Sequence, residues 1–181
     1  MNDLKEDKDS DLLVVRKKNE CIEIEHKKST ILSEVGLQVW RGAFLINDFI
    51  LSNQDMFSNK IVLELGSGVA LTSIVASIFS KRVLCTDINI AGILELIKRN
   101  IELNKQYQRT PNNVAVYELN FMAKQWSSDL EEELKNVDIM LAADGLYSRI
   151  NFLMFGSFNN HWFIFQLFMM MTFLKHLSKQ Y

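Results

Sequence analysis

Lys60-Ile61-Val62-Leu63-Glu64-Leu65-Gly66-Ser67-Gly68, followed by Arg82-Val83-Leu84-Cys85-Thr86-Asp87, decides the fold class of this chain. Each stretch is a nearly unbroken apolar run that stops at polar or glycine residues, the pattern of a strand buried on both faces. Between them Leu71, Ile74, Val75, Ile78 and Phe79 fall at i, i+3, i+4, i+7 and i+8, which predicts an amphipathic helix. The rhythm repeats downstream. Ile90, Ile93, Leu94, Ile97 and Ile101 predict a second helix stopping near Asn104, and the Asn112-Asn113 turn signal leads into a third strand over residues 114–119. Ser127 or Ser128 is placed to cap a short acidic helix through Leu134, and residues 137–143 read as a fourth strand. Strands alternating with helices predict an α/β fold, a parallel doubly wound Rossmann-like sheet with right-handed crossovers.

The flanks differ in character. Residues 1–20 are rich in Asp, Glu and Lys with little to bury, and are expected to form a disordered charged arm. Residues 22–26 alternate apolar and polar, predicting a short half-buried strand, and residues 42–51 carry apolar residues over an arc wide enough for a largely buried helix. From Gly145 to the end there is no Asp or Glu, and Trp162-Phe163-Ile164-Phe165-Gln166-Leu167-Phe168-Met169-Met170-Met171-Thr172-Phe173-Leu174 is the densest apolar run. It is short of the ~20 residues that a bilayer span needs, and is expected to be a buried or surface-adhering helix. The expected division is therefore 1–20 as arm, 21–147 as the α/β domain and 148–181 as an apolar tail.

Bulk properties exclude several classes of function. The 181 residues suffice for one domain, and a net charge of −2 gives no basic surface for nucleic acid. Cys21 and Cys85 are the only cysteines and have no metal-ligand spacing, so a reducing intracellular compartment is expected, with no zinc site. The N-terminus has no apolar core of a secretory signal.

In an open parallel sheet a ligand lies across the carboxyl ends of the strands, so the chemistry is read there. Glu64, Gly66, Ser67 and Gly68 close the first strand, and the glycines let main-chain N–H groups approach a ligand closely. A dinucleotide turn needs G-x-G-x-x-G to seat pyrophosphate on a helix N-terminus, but Leu71 stands at its third glycine and Glu64 would repel phosphate. That disfavours a nicotinamide-dependent oxidoreductase. S-adenosylmethionine carries an ammonium, a carboxylate and a sulfonium but no phosphate, which suits an acid beside the turn. Asp87, closing the second strand, is placed to accept both ribose hydroxyls, although a strand-end Asp also serves as a helix cap.

With Val35-Gly36-Leu37-Gln38-Val39-Trp40-Arg41-Gly42-Ala43 and Leu71-Thr72-Ser73-Ile74 added to the glycine turn, residues 35–147 resemble the seven-β-strand protein-lysine methyltransferases of family 16. The resemblance implies S-adenosylmethionine as cofactor and a protein lysine as methyl acceptor. It also implies a cofactor pocket lined by Trp40, the glycine turn, Asp87, Asn120-Phe121 after the third strand, and Ala143 ending the fourth. Asp144-Gly145-Leu146-Tyr147 fits the family's acid-x-x-Tyr motif, making Asp144 and Tyr147 the implied catalytic pair, one orienting the amine and the other walling the site. Two departures stand out: Ala70 replaces the third glycine of the turn, and Asn120-Phe121 stands where Asp-Trp is common. After Tyr147 the family continues through further strands, whereas this sequence is unmatched, so the domain is expected to be truncated after its fourth strand with β-sheet edge exposed. The alternative that follows is a catalytically inactive isoform acting as a binding module. His26, His161 and His176 lie outside these motifs, and no general base is assigned.

Overall fold

The computed structural model describes residues 21–28, 30–123, 125–143 and 162–165. Five strands, β1 (Ile61–Leu65), β2 (Arg82–Asp87), β3 (Val114–Glu118), β4 (Ile139–Ala142) and β5 (Trp162–Phe165), form one sheet in the order β3-β2-β1-β4-β5. All four neighbouring pairs are parallel. Strand order reverses about β1, so the crevice beyond the carboxyl ends of β1, β2 and β4 is the place for a ligand.

The burial of each strand follows its place. β1 and β4 are buried almost throughout, while Val114, Ala115, Val116 and Tyr117 of the edge strand β3 are only half-buried. Side chains alternate between two faces, as a pleated strand requires. On one face Val62, Val83, Ile139 and Leu141 pack with Ile46 and Ile50 of α1 (Arg41–Ser52), Phe57 of α2 (Gln54–Phe57), and Val75 and Ala76 of α3 (Leu71–Ser77). On the other, Leu63, Leu65, Leu84, Met140 and Ala142 pack with Leu130 and Leu134 of α5 (Ser128–Leu134). Ser127 caps α5, its hydroxyl accepting from the Leu130 N–H. Helix α4 (Ile93–Leu103) adds Ile93, Leu94, Leu96 and Ile97 to a third cluster with Val69, Ala70, Leu71, Ile74 and Cys85.

Three expectations need correction. Helix α1 is buried on one side only: Gly42, Ile46, Asn47 and Ile50 face the core, while the apolar Phe44, Leu45, Phe49 and Leu51 are exposed. Residues 22–26 are extended and alternate in burial, with Ile22 and Ile24 against the third cluster, yet they pair with no strand. Their partners are side chains of α4 and of its C-cap: the Glu23 N–H donates to Asn104 Oδ1 and the Glu25 N–H to Asn100 Oδ1. The third correction concerns residues 162–165, expected to be helical, which instead form β5 and pair Ile139↔Trp162 through Ala142↔Phe165. Trp-Phe-Ile-Phe is aromatic and β-branched, which favours a pleated backbone, and the fourth strand offers a row of main-chain groups to pair with. The edge of β4 is therefore covered along this stretch.

Candidate active site

The site is built at the end of β1, where the chain must turn sharply under α3. Gly66 and Gly68 take φ of +66° and +56°, the left-handed region in which a side chain is strained. At Gly68 there is a second constraint, because a Cβ there would sit 3.1 Å from the Gly36 carbonyl oxygen. The Val35-to-Trp40 segment thus touches the turn main chain to main chain. Gly36 lies close under Ile93, whose Cδ1 would be 2.6 Å from an added Cβ and would have to shift to admit one. The Trp40 indole N–H donates to the Val35 carbonyl at 2.9 Å, and the ring stays partly exposed at the start of α1.

Ser67 fastens the turn to β2. Its N–H and hydroxyl both donate to the Thr86 carbonyl, at 2.9 and 3.0 Å, and its Oγ accepts from the Thr86 N–H. The Thr86 hydroxyl in turn donates to the Glu64 carbonyl at 2.7 Å. With β2 so fixed, Asp87 meets the turn directly: the Gly68 N–H donates to Asp87 Oδ2 at 2.7 Å, and the Ile88 N–H donates to Oδ1 at 2.7 Å. Each carboxylate oxygen keeps a lone pair for a further donor. Burial pushes the Asp87 carboxyl above its usual range, opposed by these two N–H groups.

Glu64 lies deeper. It is buried at 2% exposure, and the Ser73 hydroxyl of α3 donates to its Oε2 at 2.5 Å. Desolvation raises its carboxyl to about 7, with the Ser73 hydrogen bond pulling down and the negative charge of Asp87 pushing up. The Cys85 thiol is pushed far up by burial and then by Glu64, so it is no nucleophile.

The remaining predicted residues sit on the neighbouring strand ends. The Leu119 N–H donates to the Asp87 carbonyl at 2.8 Å, which draws Asn120 and Phe121 to the end of β2. Asn120 Oδ1 accepts from the Met122 N–H, its carbonyl accepts from the Trp126 indole, and Phe121 packs into the α5-side cluster. Ala143 follows β4 and packs on the α1-side cluster. Asp144 and Tyr147 lie outside the described residues.

Sequence reading did not nominate Asn100. Its side chain is fully buried and its Nδ2 donates to the Val69 carbonyl, inside the turn, at 2.9 Å. A signal was available, since Asn100 and Asn104 fall on the apolar stripe of α4, where an amide must have a buried partner. Among the described residues no group of acids, histidines and cysteines is arranged to hold a metal.

Comparison with known proteins agrees with this construction. Residues 16–156 match the lysine methyltransferase family. Methyltransferase-like protein 22 of Homo sapiens is 41% identical over 61% of this chain and 28% of its own length. Its Mus musculus counterpart is 38% identical over 70% and 35%, respectively. Protein N-lysine methyltransferase METTL21A of Xenopus tropicalis is 29% identical over 68% of this chain and 54% of its own. The chain thus spans about a third of the length of the first two relatives. A parallel sheet with its order reversing at β1, a glycine turn hydrogen-bonded to an acid on β2, and a family match over most of its length lead to one conclusion: this chain belongs to the lysine methyltransferase family.

Proposed function

We propose that this chain is the cofactor-binding portion of an S-adenosylmethionine-dependent methyltransferase that acts on a lysine side chain of a protein substrate. The observation that supports it most is the hydrogen bond from the Gly68 N–H to Asp87, which joins the glycine turn to the carboxylate that we assign to the ribose hydroxyls. The donor set fits this cofactor by charge. Glu64 suits an ammonium, and Asp87, whose two oxygens each keep a lone pair beside the N–H they already accept, suits two hydroxyls. We assign residues 21–147 to the cofactor-binding portion of the methyltransferase domain, whose sheet β5 extends by pairing with β4, with Trp40, Asn120, Phe121 and Ala143 as walls of the pocket and Ser67 as the brace of the turn.

When bound, S-adenosylmethionine would supply a methyl group on a cationic sulfur, a neutral thioether being the leaving group and a cationic methylammonium the product of attack by a neutral amine. The protein's task is to hold the amine neutral, close and aligned; such positioning can contribute ~7–11 kcal/mol toward a barrier. Asp144 would orient the amine by accepting its N–H, and Tyr147 would present an aromatic face to the cationic product. A desolvated site next to positive charge favours the neutral amine. Both cysteines are free thiols, which suits an intracellular compartment, nucleus or cytoplasm. Among the described residues no helix is long and apolar enough to cross a membrane.

The test is titration calorimetry with S-adenosylmethionine, with NAD as control, followed by incubation with methyl-labelled cofactor and cell extract. Binding of the first ligand alone, with label appearing on protein, is the expected result. Absence of heat from a folded sample overturns the cofactor reading, and binding without labelled protein leaves an inactive binding module. Asp87→Ala is expected to abolish affinity, and Asp144→Ala to spare affinity while removing labelling.

A further inference from the structure

Asn100 within helix α4 and Asn104 at its C-terminal cap are both buried, one turn apart, and their bonding is nearly identical. Asn104 accepts from the Glu23 N–H at 2.9 Å through Oδ1, and its Nδ2 donates to the Glu23 carbonyl and to the Asn100 carbonyl, both at 2.7 Å. Asn100 accepts from the Glu25 N–H at 2.8 Å, and its Nδ2 donates to the Glu25 carbonyl at 3.0 Å and to the Val69 carbonyl at 2.9 Å. Each side chain therefore mimics one rung of a strand for the extended segment that passes over α4. They differ in the third bond, which for Asn104 returns to its own helix and for Asn100 reaches the glycine turn.

That difference matters because of where Val69 sits. It directly follows Gly68, whose N–H is bonded to Asp87, and precedes Ala70, which has a left-handed φ of +66°. A turn with left-handed residues on both sides of Val69 needs outside support to keep one conformation. Asn100 is buried, so loss of its amide would leave the Val69 carbonyl without this donor in a water-poor place. The same amide is held on its other side by the main chain of Glu25. The extended segment, Asn100 and the turn are thus one connected set of hydrogen bonds.

We propose that Asn100 is a positioning residue for cofactor binding, coupling the docked segment at residues 23–25 to the glycine turn through the Val69 carbonyl. This rests on the cofactor reading above and names a residue that sets its strength. Asn104 is the matched control, since it holds the same segment without touching the turn.

The experiment compares Asn100→Ala and Asn104→Ala by thermal unfolding, S-adenosylmethionine titration and amide hydrogen exchange without ligand. Both variants are expected to lose stability. Only Asn100→Ala should weaken binding, by about tenfold, equal to ~1.4 kcal/mol, and only it should speed exchange at Gly68, Val69 and Ala70. Equal losses of affinity in the two variants would overturn the proposal, as would unchanged exchange at the turn in Asn100→Ala. If the alanine variants do not fold, Asn100→Ser and Asn104→Ser give the same comparison. No binding by the unaltered chain would instead bring down the cofactor reading, while the exchange comparison still judges the link from Asn100 to the turn.

Discussion

The main-chain N–H of Gly68 and the carboxylate of Asp87 are joined at 2.7 Å across two adjacent strand ends. Because the Ile88 N–H holds the other oxygen, the carboxylate accepts from two fixed donors and has no room for a donor of its own. Asp87→Asn, although of equal size, must turn an NH2 group toward one of these N–H groups. It is expected to cost ~1–3 kcal/mol of stability and to weaken S-adenosylmethionine binding, measured by chemical unfolding and calorimetry. A variant with unchanged stability and affinity would show that the two strand ends do not depend on this carboxylate.

Ala70 occupies the third position of the turn in a left-handed conformation, φ +66° and ψ 17°, and is fully buried. A Cβ in that region costs roughly 1–2 kcal/mol, against ~0.4–1 kcal/mol of extra chain entropy that glycine loses on folding. Ala70→Gly is therefore expected to raise stability by ~0.5–1 kcal/mol, seen as a higher urea midpoint with unchanged slope. Gly68→Ala combines the same strain with a contact on the Gly36 carbonyl, and should lower the midpoint and cofactor affinity together. A fall in stability for Ala70→Gly would mean that the methyl group's packing outweighs the strain.

The fold was legible where side-chain period and burial agree. β1, β2 and β4 carry nearly continuous apolar runs because both faces are covered, and α3 and α4 show the helical period. The convergence of the glycine turn with Asp87 was legible too, because strand ends in a parallel sheet point to the same crevice. What was hidden depended on partners distant in sequence. Residues 22–26 have the alternation of a strand, but nothing local reveals that Asn100 and Asn104 replace a neighbouring strand. For Trp162–Phe165, a short apolar run does not distinguish helix from strand until β4 offers an edge. The exposed apolar side of α1 was misread because width of the apolar arc does not say how much of it is covered.

Glu64 gives the site a pH dependence with a definite sign. Its carboxyl is raised from 4.5 to about 7, mainly by desolvation, with Asp87 adding a small upward push. The folded chain thus holds this proton more tightly than the unfolded one. The stability from this group is fully present below pH ~4.5 and is lost as pH rises through about 7. The change is worth roughly 3 kcal/mol at ~1.4 kcal/mol per pKa unit. Glu64→Gln, which stays neutral, is expected to flatten the stability profile between these limits. If the cofactor's ammonium pairs with Glu64, binding must also release a proton near neutral pH. Calorimetry in buffers of different ionisation heat reads that release, and equal apparent enthalpies in all buffers would exclude it.

Pairing of β5 with β4 predicts the effect of losing the tail. Met140 and Leu141 are the middle of β4 and pair with Phe163 and Ile164, so a chain ending at Ser148 would leave the outer main-chain groups of β4 open. Unpaired strand edges template association with other chains, and the buried strand they belong to is the one beside β1. The shortened chain is expected to melt at lower temperature and to form larger species in size-exclusion chromatography. Proline scanning gives a finer reading. Successive N–H groups of a strand point to opposite sides, so one of Phe163→Pro and Ile164→Pro must remove a donor to β4 while the other faces away. The first should reproduce part of the destabilisation caused by deletion, and the second should cost less. Equal melting temperatures for the full and shortened chains would show that β5 contributes nothing to holding β4 in place.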